Sequence, residues 1–453
     1  MRGWIAGNFK VEHLHGPERI VYGDDELVVL CLVRDGEPWM RSFVEHYFSL
    51  GARHLIFLDN GSTDGTVSAA SEHDGVTVLR TKMPFDADLA GARGQDVMRR
   101  YLIERFGKGR WSLYVDIDEL FDYPYSDVIG LGSFLRYLNS NSYTAVRAQM
   151  LDMFPERPLL EPTDEPDEPL KEVHRFYDIS RLERRSRRKG YNVLGSAEIE
   201  WFKGGLRRTV FELPGPLLTK HPLVYSDGVL EPHPPHGVRN ARIADVSCVL
   251  FHYKFLKHFR EQILRAVEEG QYHHNSFAYK RYLEAIERNP ELRLKRESAT
   301  EISSVNDLLE NRFLVVSEDY VDWVDAEEER RFSKTKPGVE AADLAGALLE
   351  SRRRERAKTL KLGRLEHTKT EMTRRMSELE QELADGAREK QELERRAQKS
   401  DRRLQRCKRR ARRLAERNGV LELQLENVVG SWGWRLEQRL RHYAARLGSL
   451  RRG

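Results

Sequence analysis

The chain reads as an α/β protein: a mainly parallel sheet sandwiched by helices, followed by a long C-terminal helix of coiled-coil character. Three observations lead there. From Glu26 onward, short apolar β-prone runs alternate with segments of helical spacing. Two of those runs end abruptly in polar clusters, Asp59-Asn60-Gly61 and Asp116-Ile117-Asp118-Glu119. Beyond Met372, apolar residues recur on a four-three alternation.

The elements follow in order. Residues 1–25 form an irregular lead-in. Leu27 to Val33 is a continuous apolar run, as expected of a strand buried on both faces. Trp39, Phe43, Tyr47 and Leu50 then share one helical face, and Gly51 stands at the C-cap position. His54 to Leu58, Val76 to Leu79 and Trp111 to Val115 are further strands, with helices at Thr66 to Ser71 and Ala90 to Phe106 between them. Ser142 to Leu151 is another strand. Pro155 to Pro169 and the basic run Arg181 to Lys189 read as an insertion over the active face. A late buried strand, Ser247 to Tyr253, precedes helices near Leu256 to Glu269 and Ser276 to Arg288. The expected division is a lead-in over 1–25, an α/β domain over 26–324 and a linker over 325–345. A helical coiled-coil region over 346–430 and a basic Trp-containing tail over 431–453 complete it.

Formal net charge is only +4, but it is unevenly spread. Residues 351–453 carry 30 Lys and Arg against 15 Asp and Glu, which leaves the preceding part net acidic. The three cysteines, Cys31, Cys248 and Cys407, have no metal-ligand spacing and suit a reducing compartment. No run approaches the roughly 20 apolar residues of a membrane-spanning helix, and Met1 to Lys10 lacks a leader-like apolar stretch. The expected location is cytoplasmic, with the tail a candidate for peripheral contact at the inner membrane face. Arginines of the coiled coil are intermixed with glutamates and lack interleaved aromatics over most of its length, so nucleic-acid binding is not expected.

Two acids two residues apart at a strand end, Asp116 and Asp118, can share one space. Two readings stay open. Either a divalent cation sits between the carboxylates, where it would also hold phosphates, or the acids cap the following turn. In open α/β sheets, ligands bind beyond the carboxyl ends of the strands, so Asp59-Asn60 and Asp116-Ile117-Asp118 should be neighbours. Gly61 and Gly65 permit tight turns, Asp64 can cap the helix at Thr66, and Asp59 stands at the strand tip with free acceptors.

These motifs resemble those of nucleotide-sugar glycosyltransferases of the GT-A fold, in the broad glycosyltransferase family 2 group. Leu58 to Thr66 is similar to the run VDDGSTDGT, with Asn60 in place of the second Asp. Asp116 to Phe121 matches the DxDEF form of the metal motif. Val33 to Glu37 resembles the subgroup's vRNE opening, departing from it at Asp35-Gly36. His46, Gly51, Gln95, Tyr101 and Trp111 fall at further matching positions, and Phe251 to Phe255 is similar to an lHfKf element. The resemblance covers roughly residues 26 to 290. It implies that Mn²⁺ or Mg²⁺ binds Asp118, with Asp116 reaching the metal or the ribose. Asp59 and Asn60 would hold the base, and Arg34 and Arg93 would contact base or phosphate. His252 is a candidate third metal ligand or a structural histidine. Lys220 and His236 also match subgroup positions, without a role that the residues themselves suggest. Gly204 to Arg208 reads more simply as a turn with solvated arginines than as a phosphate site. An inverting transfer needs a base, and Asp152, after the strand that follows the metal motif, is the candidate.

The implied activity is metal-dependent transfer of a sugar from a nucleoside diphosphate to a glycan or lipid-linked acceptor, in surface polysaccharide or lipopolysaccharide assembly. The competing class is a non-catalytic scaffold of the same fold that works through its coiled coil. The seam runs Met372, Met376, Leu379, Leu383, Leu393, Ala397, Leu404, Cys407, Ala411, Leu414, Leu421, Leu425, Val428; Gly386, Lys390, Ser400 and Asn418 are also in line, so its middle should be weak, and it predicts a homo-oligomer. After it, Ser431-Trp432-Gly433-Trp434-Arg435-Leu436 is similar to a Trp-Arg-Leu element that ends many bacterial carbohydrate-assembly transferases.

Overall fold

The computed structural model describes residues 9–89, 91–161, 169–185, 193–194, 199–233, 237–270, 273–334 and 339–449. Much of the anticipated insertion, and His236, lie outside them. Contacts divide the chain into two units, 1–367 and 368–453.

In the first unit, β1 (Glu12–His15) and β2 (Val28–Val33) precede α1 (Glu37–Leu50), β3 (His54–Asp59), α2 (Thr66–Ser71) and β4 (Val76–Arg80). Next come α3 (Gly94–Phe106), β5 (Trp111–Val115), β6 (Glu119–Asp122), α4 (Leu131–Ser140) and β7 (Ala145–Asp152). The second half holds β8 (Val193–Leu194), α5 (Leu206–Phe211), β9 (Thr219–Tyr225) and β10 (Ala241–His252). α6 (Phe259–Glu269), α7 (His273–Arg288) and α8 (Glu318–Lys334) follow, and α9 (Val339–Ser449) is the last element.

These strands make a 10-stranded sheet in the order β1-β4-β3-β2-β5-β9-β7-β10-β8, with β6 on β10. The run β4-β3-β2-β5 is parallel, as the apolar periodicity predicts. The rest is mixed: β9 runs antiparallel to both β5 and β7, and β6 runs antiparallel to β10. The lead-in is not wholly irregular, because β1 pairs antiparallel with β4 at the sheet edge. Its four residues carry no strand-length apolar run, so only the pairing reveals it.

Alternation along the parallel strands builds two cores. Val29, Cys31, Phe57, Leu113 and Val115 face Phe43 and Tyr47 of α1 and Phe134 of α4. Leu30, Leu32, Ile56, Leu58 and Tyr114 face Met98 and Leu102 of α3. Helices therefore cover both faces, which is why these strands are apolar throughout. A third cluster, with Phe154, Phe211, Phe255, Phe259 and Tyr282, seats α5, α6 and α7 beside the end of β7.

The linker expected over 325–345 is largely helix. Residues 325–334 are the second half of α8, and α9 begins at Val339. The charged run lacks periodicity because its charges are satisfied across elements. Arg356 of α9 pairs with Asp325 and Glu328, while Glu327 pairs with Arg136.

His46 of α1 shows how burial sets a pH limit on this packing. Its Nε2 lies 2.7 Å from the carbonyl oxygen of Phe121, which can only accept, so Nε2 carries the proton. Nδ1 then accepts from Lys171 Nζ at 2.8 Å. Burial, with Lys171 second, pushes the imidazole pKa down to about 3. A histidine whose pKa is depressed on folding stabilises the fold fully above its unfolded value of about 6.5. That stability drains away as pH falls toward the folded value. The loss at pH 4 should be on the order of 3 kcal/mol from this group. Urea unfolding at pH 8 and pH 4 checks it: His46→Gln should lose distinctly less stability between the two than wild type.

In the second unit, residues 368–449 are helical throughout. The apolar seam residues are all exposed, from Leu379 at 44% to Leu383 at 74%. Among the described residues, no helix is long and apolar enough to cross a membrane.

Candidate active site

The acidic motif is not a continuation of β5. Glu119 N–H donates to Asp116 O at 3.0 Å, so Asp116 to Glu119 form a turn between β5 and β6. Strand alternation is thus not what brings Asp116 and Asp118 to one cleft. The turn does it, secured by Tyr253 N–H donating to Asp118 O at 2.8 Å. The cleft, of about 660 Å³, is of the size of a small-molecule site. Asp116, Asp118 and Glu119 line it together with Arg34, Lys220, His252 and Lys254, and with α6 and Tyr279 opposite.

Sheet register assembles the chemistry. His252, the last residue of β10, is registered against Asp152 of β7 on one side and Glu119 of β6 on the other. Its Nδ1 lies 2.6 Å from Asp152 Oδ1, and its Nε2 lies 3.2 Å from Asp118 Oδ2. Arg207 of α5 donates from Nε to Asp152 Oδ2 at 2.9 Å. On the neighbouring strand β9, Lys220 Nζ donates to Asp116 Oδ2 at 3.0 Å and to Glu119 Oε1 at 2.5 Å.

The acids here have counter-charges, and for Asp118 and Asp152 these outweigh burial. Burial works against the charge of Asp118, but His252, and then Lys254 and Lys220, outweigh it and hold the carboxyl below the usual range. Burial likewise opposes the charge on Lys220, yet Asp116 and Glu119 keep its ammonium above the ordinary lysine value. Burial pulls His252 down, while Asp118 and Asp152 together bring it out above an ordinary imidazole. Asp152 stays low despite burial because Arg207 and His252 flank it. Glu119 is the exception: burial lifts it in spite of Lys220.

Asp118 and His252 are the residues of the cleft that could hold a divalent cation. Among the described residues, no group of three or more His, Cys, Asp or Glu is arranged to hold a metal. What exists is one carboxylate and one imidazole on the cleft wall, with the second ring nitrogen of His252 fixed by a buried carboxylate. That backing is how metal-binding histidines are oriented. Two protein donors suit a hard cation that takes its other ligands from phosphate and water.

Several expected residues stand differently. Both carboxylate oxygens of the buried Asp59 are already engaged: Gly61 N–H donates to Oδ2, Ser62 N–H to Oδ1, and Arg80 Nε to Oδ2 at 2.7 Å. Asn60 is buried and donates to Met83 O at 2.7 Å, and neither residue is among those lining the cleft. Both shape the loop. Arg34 does line the cleft, paired with Glu269 at 3.3 Å, whereas Arg93 is exposed and is not among the lining residues. Asp152 has one oxygen on Arg207 and the other on His252, so it orients the imidazole and is not a free base. Asp116 keeps 39% of its side chain exposed, but a metal would have to share it with Lys220.

Gly61 has the expected left-handed backbone, at φ +80°. Gly65 does not. A Cβ there would press on the carboxylate of Glu37, which accepts from the Gly65 N–H, so that side chain would have to shift. Asp64 accepts from Thr66 N–H at 3.1 Å and from Glu37 N–H at 3.2 Å, but the N-cap position of α2 is Gly65, so Asp64 braces the turn before the helix and is not the cap expected of it.

Sequence reasoning missed the roles of Arg207 and Lys220. Arg207 reads as solvated but is buried against Asp152, a contact between residues 55 apart that no local pattern announces. Lys220 did leave a trace: a lone lysine inside the apolar stretch Leu217 to Val224 needs a buried partner.

Fold and site together define an α/β protein with a cleft of charged lining at the carboxyl ends of parallel strands. No family model matches the chain, and no curated protein matches it. Among solved structures, a nucleotidyl transferase from Methanothermobacter thermautotroptrophicus is 9% identical, over 29% of this chain and 63% of that one, with a TM-score of 0.18. The UTP-bound UGPase from Acinetobacter baumannii is 11% identical, over 34% and 65%, with a TM-score of 0.19. The chain spans less than two thirds of the length of either. Similarity at this level identifies neither a family nor a substrate.

Proposed function

We propose that this protein is a metal-dependent glycosyltransferase that moves a sugar from a nucleoside diphosphate to a glycan or lipid-linked hydroxyl in surface polysaccharide or lipopolysaccharide assembly. One observation carries the reading: Asp118 and His252, the latter backed by Asp152 and Arg207, meet on the wall of a cleft at the carboxyl end of β5. Asp118 and His252 would hold Mn²⁺ or Mg²⁺, which neutralises the charge developing on a departing diphosphate. Lys254 lines the same cleft without a carboxylate partner among the described residues, and can take a phosphate oxygen. In place of Asp152, Glu261 of α6 is the candidate to accept the acceptor proton. It lines the cleft and has no hydrogen bond or ion pair among the described residues.

Thermal unfolding with UDP, GDP or CMP, each with and without Mn²⁺, tests the reading. Protection by a nucleoside diphosphate only in the presence of metal is expected, followed by turnover of the matching sugar donor. No protection by any nucleotide would favour a scaffold that retains the fold alone.

The seam supports self-association as the second part of the proposal. Its exposed leucines leave an apolar stripe that a second copy would cover, and Asn418 on the seam can set register. Light scattering should give an oligomer, and Leu414→Glu combined with Leu421→Glu should reduce it to a monomer.

A further inference from the structure

The seam changes character at its end. Continued on the same alternation past Val428, it passes through Trp432 and then Arg435, Arg439, His442 and Arg446. A coiled-coil core cannot run on through a line of cations, since each would face its copy without a counter-charge. The apolar stripe meanwhile shifts to Trp432, Leu436, Leu440 and Tyr443, spaced by four, four and three residues, which is one face of a helix. All four are more than three-fifths exposed. Arg441 is paired with Glu437 at 2.9 Å, but Arg435 and Arg439 have no carboxylate partner among the described residues. Residues 431–449 carry four arginines against one glutamate.

We infer that this terminal stretch of α9 is an interfacial helix that lies on an anionic lipid surface. Its Trp432-Leu436-Leu440-Tyr443 face enters the acyl boundary, and Arg435 and Arg439 flank that face at headgroup level. The chemistry is complementary at both levels. Tryptophan and tyrosine suit the boundary between tails and water, and arginines beside an apolar face suit anionic headgroups. A second copy of the chain answers the apolar stripe but not the adjoining cations. An anionic surface answers both. Because one short amphipathic stretch binds weakly, several copies held together upstream would strengthen the attachment.

Sedimentation of the full chain with vesicles tests this. Binding to phosphatidylcholine vesicles that carry phosphatidylglycerol should exceed binding to phosphatidylcholine alone by about tenfold or more, and should weaken with salt. Replacing Trp432, Leu436 and Leu440 together with Ser should weaken it by about tenfold or more. Arg435→Glu with Arg439→Glu should remove the preference for the anionic lipid. These side chains are exposed, so the helical signal should not change in either variant. Four results would overturn the inference. The chain fails to bind the anionic vesicles, or the triple Ser variant binds like wild type, which would assign attachment to the basic run 402–413. Nuclease treatment abolishes binding, or the triple variant changes the oligomeric mass, which would make the stripe a contact between copies.

Discussion

Lys220→Met should lower the unfolding free energy by about 3–5 kcal/mol, the usual effect of removing one partner from a buried ion pair. Lys220 is 8% exposed and Glu119 only 1%, so the carboxylate left behind is out of water and without an ion-pair partner. Its remaining contact is the Asp116 N–H at 3.3 Å. The loss should be largely recovered by adding Glu119→Gln, because the neutral amide needs no counter-charge. Denaturant unfolding of wild type, both single variants and the double variant checks this as a cycle. Additive effects would show that Lys220 and Glu119 act independently, contrary to the geometry.

Asp118→Ala should lower sugar transfer by about a thousandfold, the scale of losing several kcal/mol of charge stabilisation on the departing group. It should also abolish metal-dependent protection by nucleotide while the chain stays folded, since no core packing depends on that side chain. Asp152→Asn should behave differently. It leaves Asp118 in place but loosens His252, so metal affinity should fall about 10–100-fold, with part of the activity recovered at high Mn²⁺. Titrating Mn²⁺ against activity and thermal shift separates the two variants. Both expectations rest on the proposed reaction, and donor turnover that needs no metal and is unaffected by Asp118→Ala would sink them.

The parallel strands were legible in the sequence because burial on both faces leaves an unbroken apolar run, as in Leu27 to Val33. The place of the acids at a strand's carboxyl end was legible for the same reason. Charge was where local reading failed. Asp59 looked free because its partner Arg80 lies 21 residues away, and residues 325–334 looked like linker because their counter-ions sit on other elements. Glycine was half-legible: Gly61 obeys the turn rule, while Gly65 answers to the distant Glu37.

By itself, then, the sequence determined the α/β alternation, the acidic cluster after Val115 and the heptad seam, all of which follow from the pattern of residues along the chain. The tertiary structure alone decided which acid serves which purpose. Sheet register sets Lys220 against Asp116 and Glu119, and His252 between Asp118 and Asp152, so one half of the motif is neutralised by a lysine and the other faces an imidazole. Electrostatic pairing depends on separation in space, and here the strand order β5-β9-β7-β10 set that separation between residues a hundred or more positions apart.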